Sequence, residues 1–589
     1  IGGYLVIQRE LSLGALVAVL AAYKDIGPPW RELLRFYQTS ADVRIKYAQI
    51  IDQFQSDTLQ PDSVTDSSVL KPESFDQGVE AANVRVAESE HGNRLENVSF
   101  NIEINERVGI LSADAEAARQ FALLATGLLT PSSGKLQING SDPGVLPGIE
   151  RGRNIGLCNA DSFLFTSTIR DNLFYGLKQQ PLPRSDAESM DPKARREAEK
   201  SGNSLNSVSD TWCDPAVAGL TSDDELKDWA MQVVEAVQLT DDLLSLALES
   251  YLTSGQAALK EKIVEMRDAV TVALHEIEGE HVVEAFDRDR FCHSLTVAEN
   301  LLFGTPVDTS QRMEDLLMQP RLVKILQSAG LYGDFVRIGS SLTDLMLELF
   351  SGVDESSDLF TRYSFIDAAS LQDYKELSVR IRQRGLEHCD SAEQTMLVSL
   401  ALKLCPDKHR LNLVDENLAR RIVETREVLE AALRNDDPSQ VLFIDRDSYH
   451  AGFTVRANML FGVIRYNRRH LLPAINQRLI DVFEAFGMSR DLLDVGLDTH
   501  SGVAGGNLTR VFRQKLLLAR ALVKNPDILV VDNALTALDR ESQQELMSRV
   551  CALREGKNLV WSFSEAEFAS LFDRVLEISD GQVREYASG

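Results

Sequence analysis

A chain of 589 residues, 44% hydrophobic and 25% charged, carries enough apolar material for several buried cores and is not an intrinsically disordered protein. Its 61 Lys and Arg face 89 Asp and Glu, a net charge of -28 with no segregated basic patch, so a phosphate backbone is repelled and nucleic acid is not expected as a partner. Six scattered cysteines (Cys158, Cys213, Cys292, Cys389, Cys405, Cys551) form no C-x-x-C pair and have no histidine at ligand spacing, which argues for reduced thiols in the cytosol and against zinc. The chain starts at Ile1 rather than Met, and its N-terminus is read as truncated or processed.

Residues 13–23 (LGALVAVLAAY) are an uncharged apolar run shorter than the roughly 20 residues a bilayer span requires. With the adjoining turns and Trp30 and Arg31 as interfacial anchors it can be drawn as a spanning helix; a buried helix or the core of a secretory signal gives the same pattern. Residues 55–78 are rich in Ser, Asp and Pro without apolar period and read as a linker. A new domain follows: residues 98–104 alternate as a strand, Glu106-Arg107 turns, and residues 108–111 form a short apolar strand. The string ADAEAARQFALLA behind it is strongly helix-forming, so a helix is predicted to begin near Ser112 or Asp114, with Asp114 and Glu116 in its first turn.

An internal repeat comes next. Residues 159–176, 287–304 and 445–462 share one pattern: Asp or Asn, x, Asp, x, aromatic, four residues, Thr, Ile or Val, two residues, Asn, Leu or Met, x, aromatic, Gly. A strand-like run precedes each copy, and each is flanked by an amphipathic helix with a D-[LF]-[LV] corner at Asp242, Asp334 or Asp491. Residues 225–239 and 256–277 read as amphipathic helices with acidic outer faces, and residues 178–223 as polar loop or fraying helix. Near the C-terminus, residues 505–539 run from a Gly turn through a helix, break at Asn525-Pro526, form the apolar strand 528–531 and end in an acid, Asp532. A helix-to-strand unit with a capping aspartate reads the same way, but an acid at a strand's carboxyl end also suits a metal-phosphate crevice.

Arg513-Gln514, Ala519-Arg520-Ala521, Pro526, Asp532 and Ala537-Leu538-Asp539 fall in the register of the signature helix, Walker B strand and D-loop of the ATP-binding cassette (ABC) transporter family, which this stretch resembles. Residues 108–144 are similar to the family's Walker A region, residues 155–165 to its Q-loop and docking segment, and residues 559–585 to its switch strand and closing hairpin. Residues 1–54 resemble the last membrane helix of an ABC exporter and its cytoplasmic extension.

The resemblance implies an α/β fold: an ABC-type P-loop NTPase-like cassette with a large, mainly helical insertion, preceded by the end of an α-helical transmembrane domain. The expected organisation is 1–54 end of the membrane domain, 55–78 linker, 79–177 first half of the cassette, 178–479 insertion built from Q-loop and helical-subdomain repeats, and 480–589 second half of the cassette. It also locates the site positions, and most are substituted. Ser112, Ala113, Asp114, Ala115, Glu116, Ala117, Ala118, Arg119 and Gln120 occupy the phosphate loop, with Ala118 in place of its lysine and Arg119 in place of its hydroxyl. Ala160 replaces the Q-loop glutamine, Thr509 and Arg510 lie within the altered signature, Asn533 replaces the general-base glutamate and Ser564 the switch histidine. Asp532 is left as the metal position.

Two functions remain open at this point. One is an ATP-binding and permease component driving nucleotide-dependent export of an unknown substrate through a weak or inactive ATPase site. The other is a non-catalytic scaffold or regulatory subunit of a membrane complex. Both imply ATP and Mg2+ as weakly bound cofactors, a dimeric ABC partner, homo- or heterodimeric, and a membrane location with cassette and insertion on the cytoplasmic side.

Overall fold

A computed structural model describes residues 1–54, 74–86, 95–159, 162–178, 191–206, 211–277, 282–350, 365–366 and 370–586. Most of the linker expected over 55–78, and Ala160, lie outside the described residues. Helix α1 (Leu13–Phe54) runs unbroken through Pro28 and Pro29. Its 42 residues rise about 63 Å, and Val17, Trp30, Phe36 and Tyr47 stand exposed along it. Among the described residues, no helix is long and apolar enough to cross a membrane. Lys24, Asp25, Arg31 and Glu32 follow the apolar run of residues 13–23 within the same helix, so that run by itself stays short of bilayer length.

The cassette begins with β1 (Val79–Arg85), β2 (Val98–Ile102), β3 (Arg107–Ser112), α2 (Ala115–Ala125), β4 (Ser133–Ile138), β5 (Ile155–Asn159) and the short α3 (Ile169–Leu173). Strands β1, β2 and β4 make an antiparallel sheet in the order β2-β1-β4. The chain then leaves through α4 (Asp223–Ala236), α5 (Thr240–Leu248), α6 (Ala257–Leu274), β6 (Val283–Ala285), α7 (Val297–Leu302), β7 (Gly304–Pro306), α8 (Leu331–Leu349), α9 (Ser391–Leu402), α10 (Glu416–Asp436), β8 (Val441–Phe443), α11 (Val455–Leu460), β9 (Gly462–Ile464), α12 (Leu472–Ala485) and α13 (Ser489–Leu497). It returns to the cassette as α14 (Arg510–Val523), β10 (Ile528–Asp532), α15 (Arg540–Leu553), β11 (Asn558–Phe563), β12 (Arg574–Ser579) and β13 (Gln582–Glu585).

Six strands form the main sheet in the order β13-β12-β3-β11-β10-β5, parallel from β12 to β5 with β13 antiparallel at the edge. Every residue of β10 and β11 is buried, as a parallel strand covered on both faces must be, and the apolar runs ILVV and LVW supply that cover. One face packs on α2 and the small sheet, through Phe121, Leu124, Ile138 and Val530. The other packs on α14, α4 and α15, through Leu518, Val233, Val531 and Val550. Parallel order brings the carboxyl ends of β3, β11 and β10 side by side, so Ser112, Ser564 and Asp532 reach the same edge from separate parts of the chain.

Helices α4 and α5 belong to this packing, not to a separate body. Trp229 on α4 donates its indole N–H to the Val523 carbonyl (3.1 Å), and Lys515 on α14 donates to the Gln238 carbonyl (2.8 Å) and to Asp242 on α5 (3.1 Å). Helices α7 to α10 share a second core, while α5, α6, α11, α12 and α13 share a third.

Candidate functional site

The helix predicted to start early does so. Asp114 is the N-cap of α2, in extended conformation, and its carboxylate accepts from the backbone N–H of Glu116 (3.0 Å) and Ala117 (3.3 Å). The Ser112 hydroxyl donates to the Asp114 carbonyl (2.9 Å) and accepts its N–H (3.2 Å), which closes the turn. Here the orphan N–H groups and positive dipole end that would cradle a phosphate hold the chain's own carboxylate instead. Ala117 and Ala118 are each 2% exposed, Gln120 is buried, and Arg119 points out into solvent. Ala113 and Ala115 are exposed and Glu116 half-buried.

At the neighbouring strand end, Asp532 is buried and accepts the Ser562 hydroxyl at 2.6 Å. Ser562 lies directly across the β10–β11 register and also accepts the N–H of Asn533 (3.1 Å). Asn533, at φ 46°, turns its side-chain amide back to Asp532 (3.3 Å). The acid thus bonds within its own sheet, with an amide beside it that cannot take up a proton at neutral pH. Ser564 is exposed and borders a cleft of about 780 Å3 together with Ser112, Ala113 and Ala117. Glu96, Asp114, Glu577 and Asp580 also line this cleft, and none of its lining residues is Lys or Arg.

The residues do not fit Mg-ATP. The lysine that would meet the β- and γ-phosphates is a buried alanine, and the cleft wall is acidic.

The signature end is closed in the same way. Thr509 caps α14, its hydroxyl accepting the Phe512 N–H (3.2 Å). Gln514 spans to the loop after β10, donating to the Thr536 hydroxyl (3.0 Å) and accepting the Ala537 N–H (2.8 Å), while Arg510 reaches the same hydroxyl at 3.5 Å. Asp539 caps α15, and hydrogen bonds from Ser542 hold its carboxyl below the usual range.

The repeats share one device. Thr168, Thr296 and Thr454 cap α3, α7 and α11, and Asn172, Asn300 and Asn458 are each 0% exposed. Each asparagine accepts a backbone N–H with its oxygen and returns its amide to the carbonyl of the same residue: Phe165, Cys292 or His450. An asparagine here satisfies the loop's inward-facing peptide groups, which an apolar side chain would leave unpaired.

Buried arginines complete the second and third loops, which the sequence reading missed. Arg426 on α10 donates to the carbonyls of Arg288 (2.7 Å) and Arg290 (2.9 Å) and to the Asn300 side chain (2.8 Å). Arg267 on α6 donates to the carbonyls of Asn458 (2.9 Å) and Ser448 (3.1 Å). An arginine about 15 residues before each inserted strand, Arg267 or Arg426, was the available signal. In the first loop, Arg520 on α14 donates to the Phe163 carbonyl (3.0 Å), and Phe163, Phe165 and Tyr175 make an aromatic face in which Phe163 is 62% exposed.

No family model matches the chain. Over 172 residues it is 28% identical to an ATP-dependent lipid A-core flippase of Ralstonia nicotianae, covering 29% of this chain and 28% of the relative. It is 33% identical over 134 residues to P-glycoprotein 14 of Caenorhabditis elegans, covering 22% and 10% of the two chains. It is 31% identical over 137 residues to the ABC multidrug transporter mdr2 of Aspergillus fumigatus, covering 23% and 16%. A bacterial Atm1-family ABC exporter with ATP bound superposes with a TM-score of 0.40 at 12% identity, covering 98% of this chain and 49% of the other. A dimeric bacterial ABC transporter cassette does so at 0.30 and 11%, covering 86% and 97%. The matched segments thus span between 10% and 28% of these sequence relatives' length. In the segments these relatives match, and in the motifs that fall in register with them, the cassette of this chain is similar to ABC exporters.

Proposed function

We propose that the chain is part of an ABC-type exporter assembly in which its cassette is a non-hydrolysing partner. It keeps the fold and docking face of an ATPase and not the turnover. The observation that carries this is the Asp114 carboxylate seated on the N-terminus of α2, with buried Ala118 where a phosphate-binding lysine would be needed. Membrane association, a cassette partner of the same or another chain, and a cytoplasmic cassette follow from the relatives as part of the proposal. The exposed Phe163 and Tyr175 offer a face for the membrane-embedded component.

The dimer logic strengthens the reading. ABC cassettes sandwich each ATP between one subunit's phosphate loop and the other's signature, and this chain has altered both. An intact partner would therefore complete neither site. Calorimetric titration of the purified chain with Mg-ATP is expected to give a dissociation constant in the millimolar range or weaker, with phosphate release no faster than a protein-free blank. Micromolar affinity, or turnover abolished by Asp532→Ala, overturns it.

A further inference from the structure

Strand β6, ahead of the second loop, pairs with β9, behind the third, while β7, behind the second, pairs with β8, ahead of the third; both pairs are antiparallel. The clamps are exchanged as well: α6 precedes the second loop and its Arg267 holds the third, whereas α10 precedes the third and its Arg426 holds the second. The chain leaving β9 is thereby delivered to the second loop. Arg465 donates its backbone N–H to the Val282 carbonyl (3.1 Å), and Tyr466 donates its own to Asp407 (2.8 Å), whose N–H meets the His293 carbonyl (2.9 Å). A 3-10 turn (Tyr466–Leu471) packs in this way on a one-turn helix (Pro406–His409), although Tyr466 and Asp407 are 59 residues apart in the chain.

The sequence shows no segregated basic patch, but this contact assembles one. Lys408 and Arg410 at the helix, and Arg469 and His470 in the turn, are exposed, and Arg468 is half-buried. Among the described residues, none of the four Lys and Arg side chains has a carboxylate partner, whereas Arg321 elsewhere in the insertion pairs with Asp436 and Arg380 with Glu393. The carboxylates beside the two segments are engaged. Asp407 accepts the Tyr466 N–H and the Ser294 hydroxyl (3.2 Å), and Glu284 accepts the N–H groups of His293 (2.9 Å) and Ser294 (2.8 Å). Arg465 belongs to a surface of mixed charge: it lines a cavity of about 1100 Å3 that, besides Glu284, carries Asp287, Asp289, Asp415, Glu416 and Glu424. The equivalent corner on the other side of the exchange has no such patch. There Val307, behind β7, donates to the Gln440 carbonyl (3.0 Å), and residues 308–312 (DTSQR) carry one cation, Arg312, paired with Asp315. Positive charge is therefore a property of this one corner and not of the repeat.

We propose that this corner docks on an anionic lipid surface. Four unpaired cations and a histidine in two adjoining turns reach the density at which basic clusters bind acidic headgroups. Charges on long, exposed stems suit a sheet of headgroups, where position along the surface is free; a protein hot spot needs fixed, desolvated anchors. Arg469 lies over the Tyr466 ring at 4.9 Å, a basic and aromatic pair of the kind that membrane–water interfaces favour. A soluble polyanion meets the field of the whole chain, -28 net, whereas a membrane meets only the face turned towards it. The inference rests on the chain's place in a membrane-bound assembly, which would hold the insertion near the bilayer and raise its effective concentration there.

The test is co-sedimentation of the full chain with vesicles of phosphatidylcholine and with vesicles of phosphatidylcholine mixed with phosphatidylserine. The exposed apolar residues of α1 give binding common to both, so the quantity read is the ratio of the two affinities. A preference of at least about twentyfold for the mixed vesicles is expected, falling about fivefold for each charge removed in Arg468→Gln and Arg469→Gln and collapsing at high salt. Arg196→Gln with Lys200→Gln, which removes two exposed cations from the helix Pro192–Ser201, should leave the ratio unchanged, and melting curves of all these variants should match the wild type. Equal binding to both vesicles, an unchanged ratio in the double variant of Arg468 and Arg469, or binding to soluble polyglutamate as tight as to the mixed vesicles would each overturn the proposal. None of these outcomes bears on the Mg-ATP titration, so the two readings fail separately.

Discussion

Replacing Asp114 by alanine separates a cassette that has filled its own phosphate cradle from one that merely lacks a lysine. The substitution removes the acceptor for two backbone N–H groups, those of Glu116 and Ala117, at the start of an 11-residue helix. Loss of an N-cap costs about 0.5–2 kcal/mol, and loss of a negative charge at the dipole's positive end about 0.3–1 kcal/mol. The two overlap, since one carboxylate supplies both, so the expected destabilisation is about 1–2 kcal/mol. For a cassette-sized unit that lowers the melting temperature by about 2–8 °C. Trp561, buried in β11 beside β3, provides a fluorescence reporter. The freed N–H groups should then accept an external anion, so sulfate should recover more stability in the variant than it adds to the wild type. A variant that melts at or above the wild-type temperature, or gains no more from sulfate than the wild type, would refute the idea that this carboxylate occupies the anion site.

Two further expectations concern the insertion. Arg426→Met should destabilise it by about 3–5 kcal/mol in urea titration, because several inward-facing carbonyls and the Asn300 side chain lose their donor together; a change below about 1 kcal/mol would mean water replaces the guanidinium there. His409 accepts the Cys405 N–H (3.0 Å) at Nδ1 and packs on Phe365 with centroids 4.2 Å apart; burial, with Lys408 nearby, pushes it down to about 4 from 6.5. The folded state thus resists a proton that the unfolded chain accepts, so stability should decline as pH falls from 6.5 towards 4, and His409→Gln should flatten that decline in pH-dependent melting.

The cassette was legible because its signals are local and repeated at several levels. The start of α2 could be read from an alanine-rich string behind an aspartate, and Asp532 from an apolar run ending in an acid. What Asp532 bonds to was not legible: Ser562 is 30 residues away and meets it only through strand order. The apolar run of residues 13–23 was legible too, but charged residues follow it within a few positions, and among the described residues no helix is long and apolar enough to cross a membrane. In the insertion, the threonine and asparagine of each repeat were readable from spacing, whereas the exchange of partners between the second and third copies was not, because a repeat specifies a unit and leaves open which copy completes it.

That exchange also decides what the insertion is. In α13, a Cβ added to Gly496 would lie 2.4 Å from the Leu243 carbonyl oxygen of α5; in α8, one added to Gly339 would lie 2.0 Å from that of Leu397 in α9. Two helix pairs therefore cross at the same contact, a glycine against the backbone of a leucine, and the two leucines open the matching strings LLSLAL (243–248) and LVSLAL (397–402). In the first pair, α5 lies before most of the inserted chain and α13 after it, and Lys515 and Trp229 fasten α5 and α4 to the signature helix. The second pair lies wholly within the insertion. A cut at residues 178 and 479 would thus remove α4 and α5 from the cassette's own helical layer and leave α13 facing water. The insertion is better described as a second helical layer grown between α5 and α13, built on the contact that already joined them.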